Sequence, residues 1–172
     1  LVAVLVGGSN GKYRMTEAAA RELAQGLRRL CTEYGAGLAV TASRRTGAAN
    51  ERILRDALAG LPAEIWDGMG ENPYFAYLGL ADAIVVTADS VSMTTEACST
   101  GKPVYVAELE GGSAKFERFH ASLRDQGITR RFEGRLEDWS YPPVNDTMRV
   151  AQEVRRRLAR HLSAIEIAPA GR

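Results

Sequence analysis

Histidine and cysteine are scarce in this chain of 172 residues, and that scarcity narrows its chemistry at once. His120 and His161 are the two histidines, too few for a His-rich metal centre. Cys31 and Cys98 fall inside expected helices without metal-ligand spacing, which suits reduced core thiols in a cytoplasmic protein. Charge of one sign is missing too. The 22 Lys and Arg oppose 21 Asp and Glu, so a net charge of +1 exerts no overall pull towards nucleic acid or membrane. No apolar run approaches transmembrane length. There is no Asp-x-Asp pair to hold a divalent ion, and no G-x-G-x-x-G fingerprint.

What remains is an ordinary globular composition, 45% apolar and 25% charged, in a length that suits one core. Strand and helix signals alternate along it. Leu1–Val6, which has neither Met nor a charged leader, predicts a first core strand and is not expected to be a signal peptide. The abrupt start suggests the C-terminal part of a longer protein. Thr16 can cap a helix whose Ala20, Leu23, Ala24, Leu27 and Leu30 repeat at helical spacing, ended by Gly35 and Gly37.

Leu38–Thr41 predicts the second strand, Asn50–Leu58 a helix, and Ala63–Trp66 a third strand after Pro62. Asn72-Pro73-Tyr74 opens a short helix to about Leu80. Ile84–Val86 and Pro103–Val106 are apolar runs of the buried parallel kind, separated by a helix between Asp89 and Gly101. Phe116, Phe119 and Leu123 mark a further helix ending at Gly127. Residues 131–145 look irregular, and a last helix runs from about Asp146 to Leu162. The expected fold is α/β: a Rossmann-like open parallel sheet with helices on both faces, forming one domain over residues 1–165 with a flexible tail at 166–172.

In such a sheet, ligands bind beyond the carboxyl ends of the strands, so four loops should face one crevice. The first offers Gly7, Gly8, Ser9 and Asn10, which let backbone approach a phosphate or sugar closely, or which merely serve a turn. The second offers Arg44 and Arg45 between Ser43 and Thr46, a phosphate fork or a solvated pair. The third, with Trp66, Met69, Asn72 and Tyr74, could hold a nucleobase; Asn72 as cap and Pro73 in the first turn also simply start a helix. The fourth runs through Asp89, Ser90, Val91, Ser92 and Met93. Its hydroxyls and free N–H groups suit an anion, and Glu96, one turn after Ser92, suits a ribose diol. The plain alternative is ordinary capping.

His120 lies near this crevice, as a ligand group or a core-edge histidine. The last helix carries Arg149, Arg155, Arg156, Arg157, Arg160 and His161. This is a solvated face, or a surface that docks onto anionic lipid or a preceding domain.

The stretch from Trp66 to Val106 resembles the nucleotide-sugar half of GT-B glycosyltransferases. It carries Ala81-Asp82 before a strand, Thr95-Glu96-Ala97 in the following helix, and Gly101-Lys102-Pro103 before the next strand. By that resemblance, Ser90, Val91, Ser92 and Met93 would meet a diphosphate, Glu96 the ribose hydroxyls, and Ile65–Met69 the base. The chain from residue 1 to about 160 resembles more closely the mitochondrial-fission "elongated mitochondria" family. The matching stretches are residues 6–10, 41–46, 71–74, 87–93 and 96–104. Membership implies the C-terminal half of a GT-B architecture and leaves the reaction open.

Two departures stand out. The N-terminal acceptor domain of a complete GT-B enzyme is missing from this chain, and Ser90 replaces the transferases' phosphate-loop glycine. The expected function is donor binding: a nucleotide-diphospho-sugar as substrate, no metal or other cofactor, and no nucleic acid. A non-catalytic interaction module on the same fold is the alternative. An NADP-binding reductase is a further one, using Gly7-Gly8 for pyrophosphate and Arg44-Arg45 for the 2′-phosphate. The expected location is the cytoplasm, at the inner face of the membrane if the basic helix docks there.

Overall fold

Val2–Val6 (β1) is buried at all five positions, which only a strand covered on both faces can achieve. The computed structural model describes residues 1–167. After β1 come Tyr13–Arg14 (β2), Glu17–Tyr34 (α1), Leu38–Ala42 (β3), Ala48–Leu58 (α2), Ala63–Ile65 (β4) and Tyr74–Leu80 (α3). The second half contains Ala83–Thr87 (β5), Val91–Cys98 (α4), Val104–Ala107 (β6), Glu110–Gly111 (β7), Ala114–Asp125 (α5), Thr129–Arg131 (β8) and Asp146–Ile167 (α6).

Six strands pair in the order β4-β3-β1-β5-β6-β8, every pair parallel. Ranked by sequence this is the doubly wound order, in which the chain leaves β1 in one direction and later returns to its other side. The reversal falls between β1 and β5, whose register runs from Val2↔Ala83 to Leu5↔Val86. Right-handed crossovers put α1 and α2, which pack on each other, on one face and α3, α4 and α5 on the other. The expected α/β class and two-faced sheet are those observed.

Local chemistry explains the helix limits. Thr16 accepts the Ala19 N–H at 3.2 Å, and Gly35 closes α1 in the left-handed conformation at φ 64°. The predicted stripe Ala20, Leu23, Ala24, Leu27 and Leu30 is buried. Cys31 and Cys98 are both buried and unbonded, in α1 and α4.

The differences from expectation are informative. The first loop contains β2, which forms a two-stranded antiparallel ribbon with β7, Tyr13 opposite Gly111. The segment read as irregular begins with the end of β8, an edge strand whose Arg130 and Arg131 hide it from an apolar pattern. Beyond it, Phe132, Leu136, Trp139, Tyr141 and Val144 return as a strap over the core. Trp139 meets Tyr105 edge-to-face at 4.9 Å, and Arg130 lies 4.3 Å over its ring. The third strand ends at Ile65 rather than Trp66, and α2 starts at Ala48 rather than Asn50. The last helix continues past Leu162 to Ile167, two residues into the expected tail; residues 168–172 lie outside the described residues.

No helix among the described residues is long and apolar enough to cross a membrane. The side chains of Val150, Val154, Leu158 and Leu162 on α6 each stand about half exposed, in an i, i+4 row. On its polar face Glu153 pairs with both Arg156 and Arg157, which offsets part of the positive charge there.

Candidate functional site

The crevice at the carboxyl ends of β1 and β5 is organised by a carboxylate that never reaches solvent. Asp89 follows β5, and its side chain is fully covered. Its Oδ2 accepts the Gly8 N–H at 3.0 Å and lies 3.0 Å from Arg45 Nη1. Its Oδ1 accepts the Thr87 hydroxyl at 2.6 Å, and Thr87 Oγ1 in turn accepts the Gly7 N–H at 2.7 Å. A buried carboxylate is tolerated only when its oxygens are hydrogen-bonded and its charge is matched, and here both hold.

The two glycines answer to the same crowding. A Cβ on Gly7 would lie 2.2 Å from Asp89 Oδ1, and one on Gly8 would lie 2.1 Å from the Arg45 carbonyl carbon. Neither has a positive φ, so close approach, not backbone conformation, calls for glycine here.

The remaining loop residues lock the same junction. Ser43 and Thr46 hydroxyls both donate to the Gly7 carbonyl, and the Ser9 N–H donates to the Arg45 carbonyl at 3.1 Å. Asn10 Nδ2 donates to the Asp89 carbonyl at 3.2 Å, while its Oδ1 accepts the N–H of Lys12 and Tyr13. Ser9 Oγ accepts the Met15 N–H at 3.0 Å. Three loops expected to converge do converge, but most of their polar side chains are spent on one another.

This changes three individual expectations. Asp89 points inward and is not the helix cap; Ser90 caps α4, its Oγ accepting the Met93 N–H at 3.3 Å. Arg45 is held by Asp89, whereas Arg44 is exposed and forms no ion pair among the described residues. The side chain of Met69 is 75% exposed, and its backbone closes a local turn: its carbonyl accepts the Trp66 indole N–H at 2.9 Å, and its N–H donates to Asp67.

The groups left facing outward form a smaller set. Val91 and Ser92 are exposed in the first turn of α4, where backbone N–H groups have no intrahelical partner. Glu96 is exposed one turn further along, and its Oε2 accepts the phenol O–H of Tyr74. Burial first, then the hydrogen bond and charge of Glu96, raise the Tyr74 pKa, so the phenol remains a donor. Asn72 accepts the Tyr74 N–H at 3.0 Å just ahead of α3, whose N-cap position is Pro73, one residue later than expected.

Between the second and third loops lies a cleft of about 510 Å³, lined by Ser43, Arg44, Trp66, Asp67 and Asn72 together with Glu51 of α2. Arg55 holds this wall by donating to the carbonyls of Ile65 and Trp66 and to Glu51. The arrangement offers amide dipoles, the Arg44 guanidinium with no ion pair among the described residues, the Glu96 carboxylate and a cleft with more than enough room for a base.

Thr87 and Glu51 were not singled out in the sequence. Thr87 ends an apolar strand, and nothing local marks its hydroxyl as the link between Gly7 and Asp89. His120 is buried behind the same loop, its Nε2 2.8 Å from the Ala88 carbonyl. It is a core-edge support for the crevice and does not open into it.

The sequence model of the family described as Mitochondrial fission ELM1 matches residues 1–158. Mitochondrial fission protein ELM1 of Arabidopsis thaliana is 41% identical over 163 residues, covering 92% of this chain and 38% of that protein. The uncharacterized protein RP120 of Rickettsia prowazekii (strain Madrid E) is 31% identical over 161 residues, covering 89% and 45% respectively. The chain spans less than half the length of either relative. Among solved structures, E. coli heptosyltransferase WaaC with ADP is similar with a TM-score of 0.44 and 13% identity, over 74% of this chain and 45% of that one. The match across nearly the whole length, with the Arabidopsis identity, establishes that this chain belongs to the mitochondrial fission ELM1 family.

Proposed function

We propose that the crevice binds a nucleotide-diphospho-sugar, as the donor half of a GT-B-type glycosyltransferase whose acceptor side is supplied by another part of the parent protein. The first turn of α4 and Arg44 receive the diphosphate, Glu96 the ribose hydroxyls, and the cleft beside Trp66 the base. The observation that carries this reading is the exposed Glu96 carboxylate, one helical turn from free α4 N–H groups. On departure of the sugar, the charge growing on the diphosphate would be met by Arg44 and the helix dipole, with no metal required.

The reductase alternative is weakened. Of the Gly7-Gly8 and Arg44-Arg45 pairs it would use for phosphates, the glycine N–H groups donate to Thr87 and Asp89 and Arg45 pairs with Asp89, which leaves Arg44 alone. An interaction module has one observation in its favour, the exposed apolar row on α6 beside its arginines.

Titration calorimetry with UDP-, ADP- and GDP-sugars tests the proposal. At least one should bind, and Arg44→Ala or Glu96→Ala should each weaken it about tenfold or more, as expected for hydrogen bonds to charged groups. Absence of binding by the folded chain, with a protein partner retained on α6, would favour the interaction module.

A further inference from the structure

An exposed glutamate on a helix ordinarily samples several rotamers, and any ligand that uses it must first freeze one. For Glu96 one hydrogen bond selects among them. Its Oε2 accepts the Tyr74 phenol O–H, while its Oε1 has no hydrogen-bond partner among the described residues.

Tyr74 is itself well anchored. Its N–H is held by Asn72, and its side chain is partly buried against the hydrophobic core. The far end of α3 is held by the turn that follows α4, where Lys102 Nζ donates to the carbonyls of Leu78 and Gly79 at 2.8 and 2.6 Å. The Tyr74 end of the contact therefore sits on a helix braced at its entry by Asn72 and at its exit by Lys102.

We propose that Tyr74 is a positioning residue that fixes the Glu96 carboxylate with one oxygen turned to the crevice, ready for the 2′- and 3′-hydroxyls of a nucleotide ribose. This rests on the donor-site reading of the crevice. It assigns the Glu-Asn-Pro-Tyr segment a part in sugar recognition that does not require Tyr74 to touch the ligand. Loss of the phenol oxygen leaves the carboxylate present but mobile, so ribose binding must bear the cost of ordering one side chain.

The test compares UDP, ADP and GDP with their 2′,3′-dideoxy counterparts on the 172-residue chain, reading the affinity ratio within each pair. Wild type should prefer the ribose form by about tenfold or more. Tyr74→Phe should shrink that ratio by about threefold to tenfold, the cost of ordering one side chain, while leaving dideoxy binding within about twofold. Glu96→Ala should abolish the ratio, and adding Tyr74→Phe to it should change nothing further.

A ratio unchanged by Tyr74→Phe overturns the positioning role and leaves the donor site standing. So does an equal loss for ribose and dideoxy forms, which marks a merely structural residue. Absence of binding by all three diphosphates overturns the donor site and this inference together. The Glu96→Ala arm decides the matter should Tyr74→Phe fail to fold: a wild-type-like ratio there removes the carboxylate from ribose recognition, and the role of Tyr74 with it.

Discussion

Gly8→Ala is expected to destabilise this domain by about 3 kcal/mol, at the upper end of what overpacking costs. The atoms that a methyl group would meet are backbone atoms: the carbonyl carbon and oxygen of Arg45 at 2.1 Å and the Thr46 nitrogen at 2.4 Å. They cannot swing aside as a flexible side chain can. The Arg45 carbonyl accepts the Ser9 N–H, the Thr46 N–H donates to the Ser43 carbonyl, and Asn50 Nδ2 donates to the Thr46 carbonyl at 2.9 Å. Relief therefore requires parting the loops after β1 and β3, which takes the Asp89 junction with it. Urea denaturation measures the loss, with Gly11→Ala as the control, since a Cβ there meets nothing within 4 Å. A Gly8→Ala protein within 1 kcal/mol of wild type would show that the loops have slack that the packing does not reveal.

Asp89→Ala should cost a similar amount, about 3 kcal/mol, by a different route. The change strips the acceptor from the Gly8 N–H and the Thr87 hydroxyl and leaves Arg45 without its counter-ion. Arg45 is nearly half exposed and can turn to water, which keeps the penalty below that of a wholly buried pair. Asp89→Asn should recover little, because an amide presents a donor where donors already point. The contrast with Glu96→Ala is the useful one. If Asp89 were a ligand residue, its loss would spare stability and weaken binding; the buried network implies the reverse order of effects, seen by denaturation and by nucleotide titration on the same variant.

These two variants also mark where sequence reasoning worked and where it stopped. The runs Val2–Val6, Ala83–Thr87 and Val104–Ala107 were legible because strands covered on both faces must be apolar throughout. The α1 stripe was legible from its period. β2 and β7 were not, since two residues carry no period, and β8 was masked by its arginines.

At the site, the spacing of Ser92 and Glu96 could be read from one helix. The choice between neighbours could not. Asp89 and Ser90 both match a cap, and Arg44 and Arg45 both match an anion fork; what separates them is the meeting of Asp89 with the Gly8 N–H and with Arg45, residues far from it in the chain. The Tyr74–Glu96 contact was hidden for the same reason, since it joins two helices across 22 positions of chain.

The burial of both thiols supplies this protein with a built-in reporter of its own opening. Desolvation pushes the Cys98 pKa up to about 12 and raises that of Cys31 as well, so in the native state both are protonated as well as covered. An alkylating reagent should therefore label the folded chain slowly and the opened chain fast, and the rate would time excursions that spectroscopy averages away. The same protonation sets an alkaline limit. Stability from Cys98 is intact below about pH 9, where the exposed thiol would ionise, and drains away as the pH climbs towards 12.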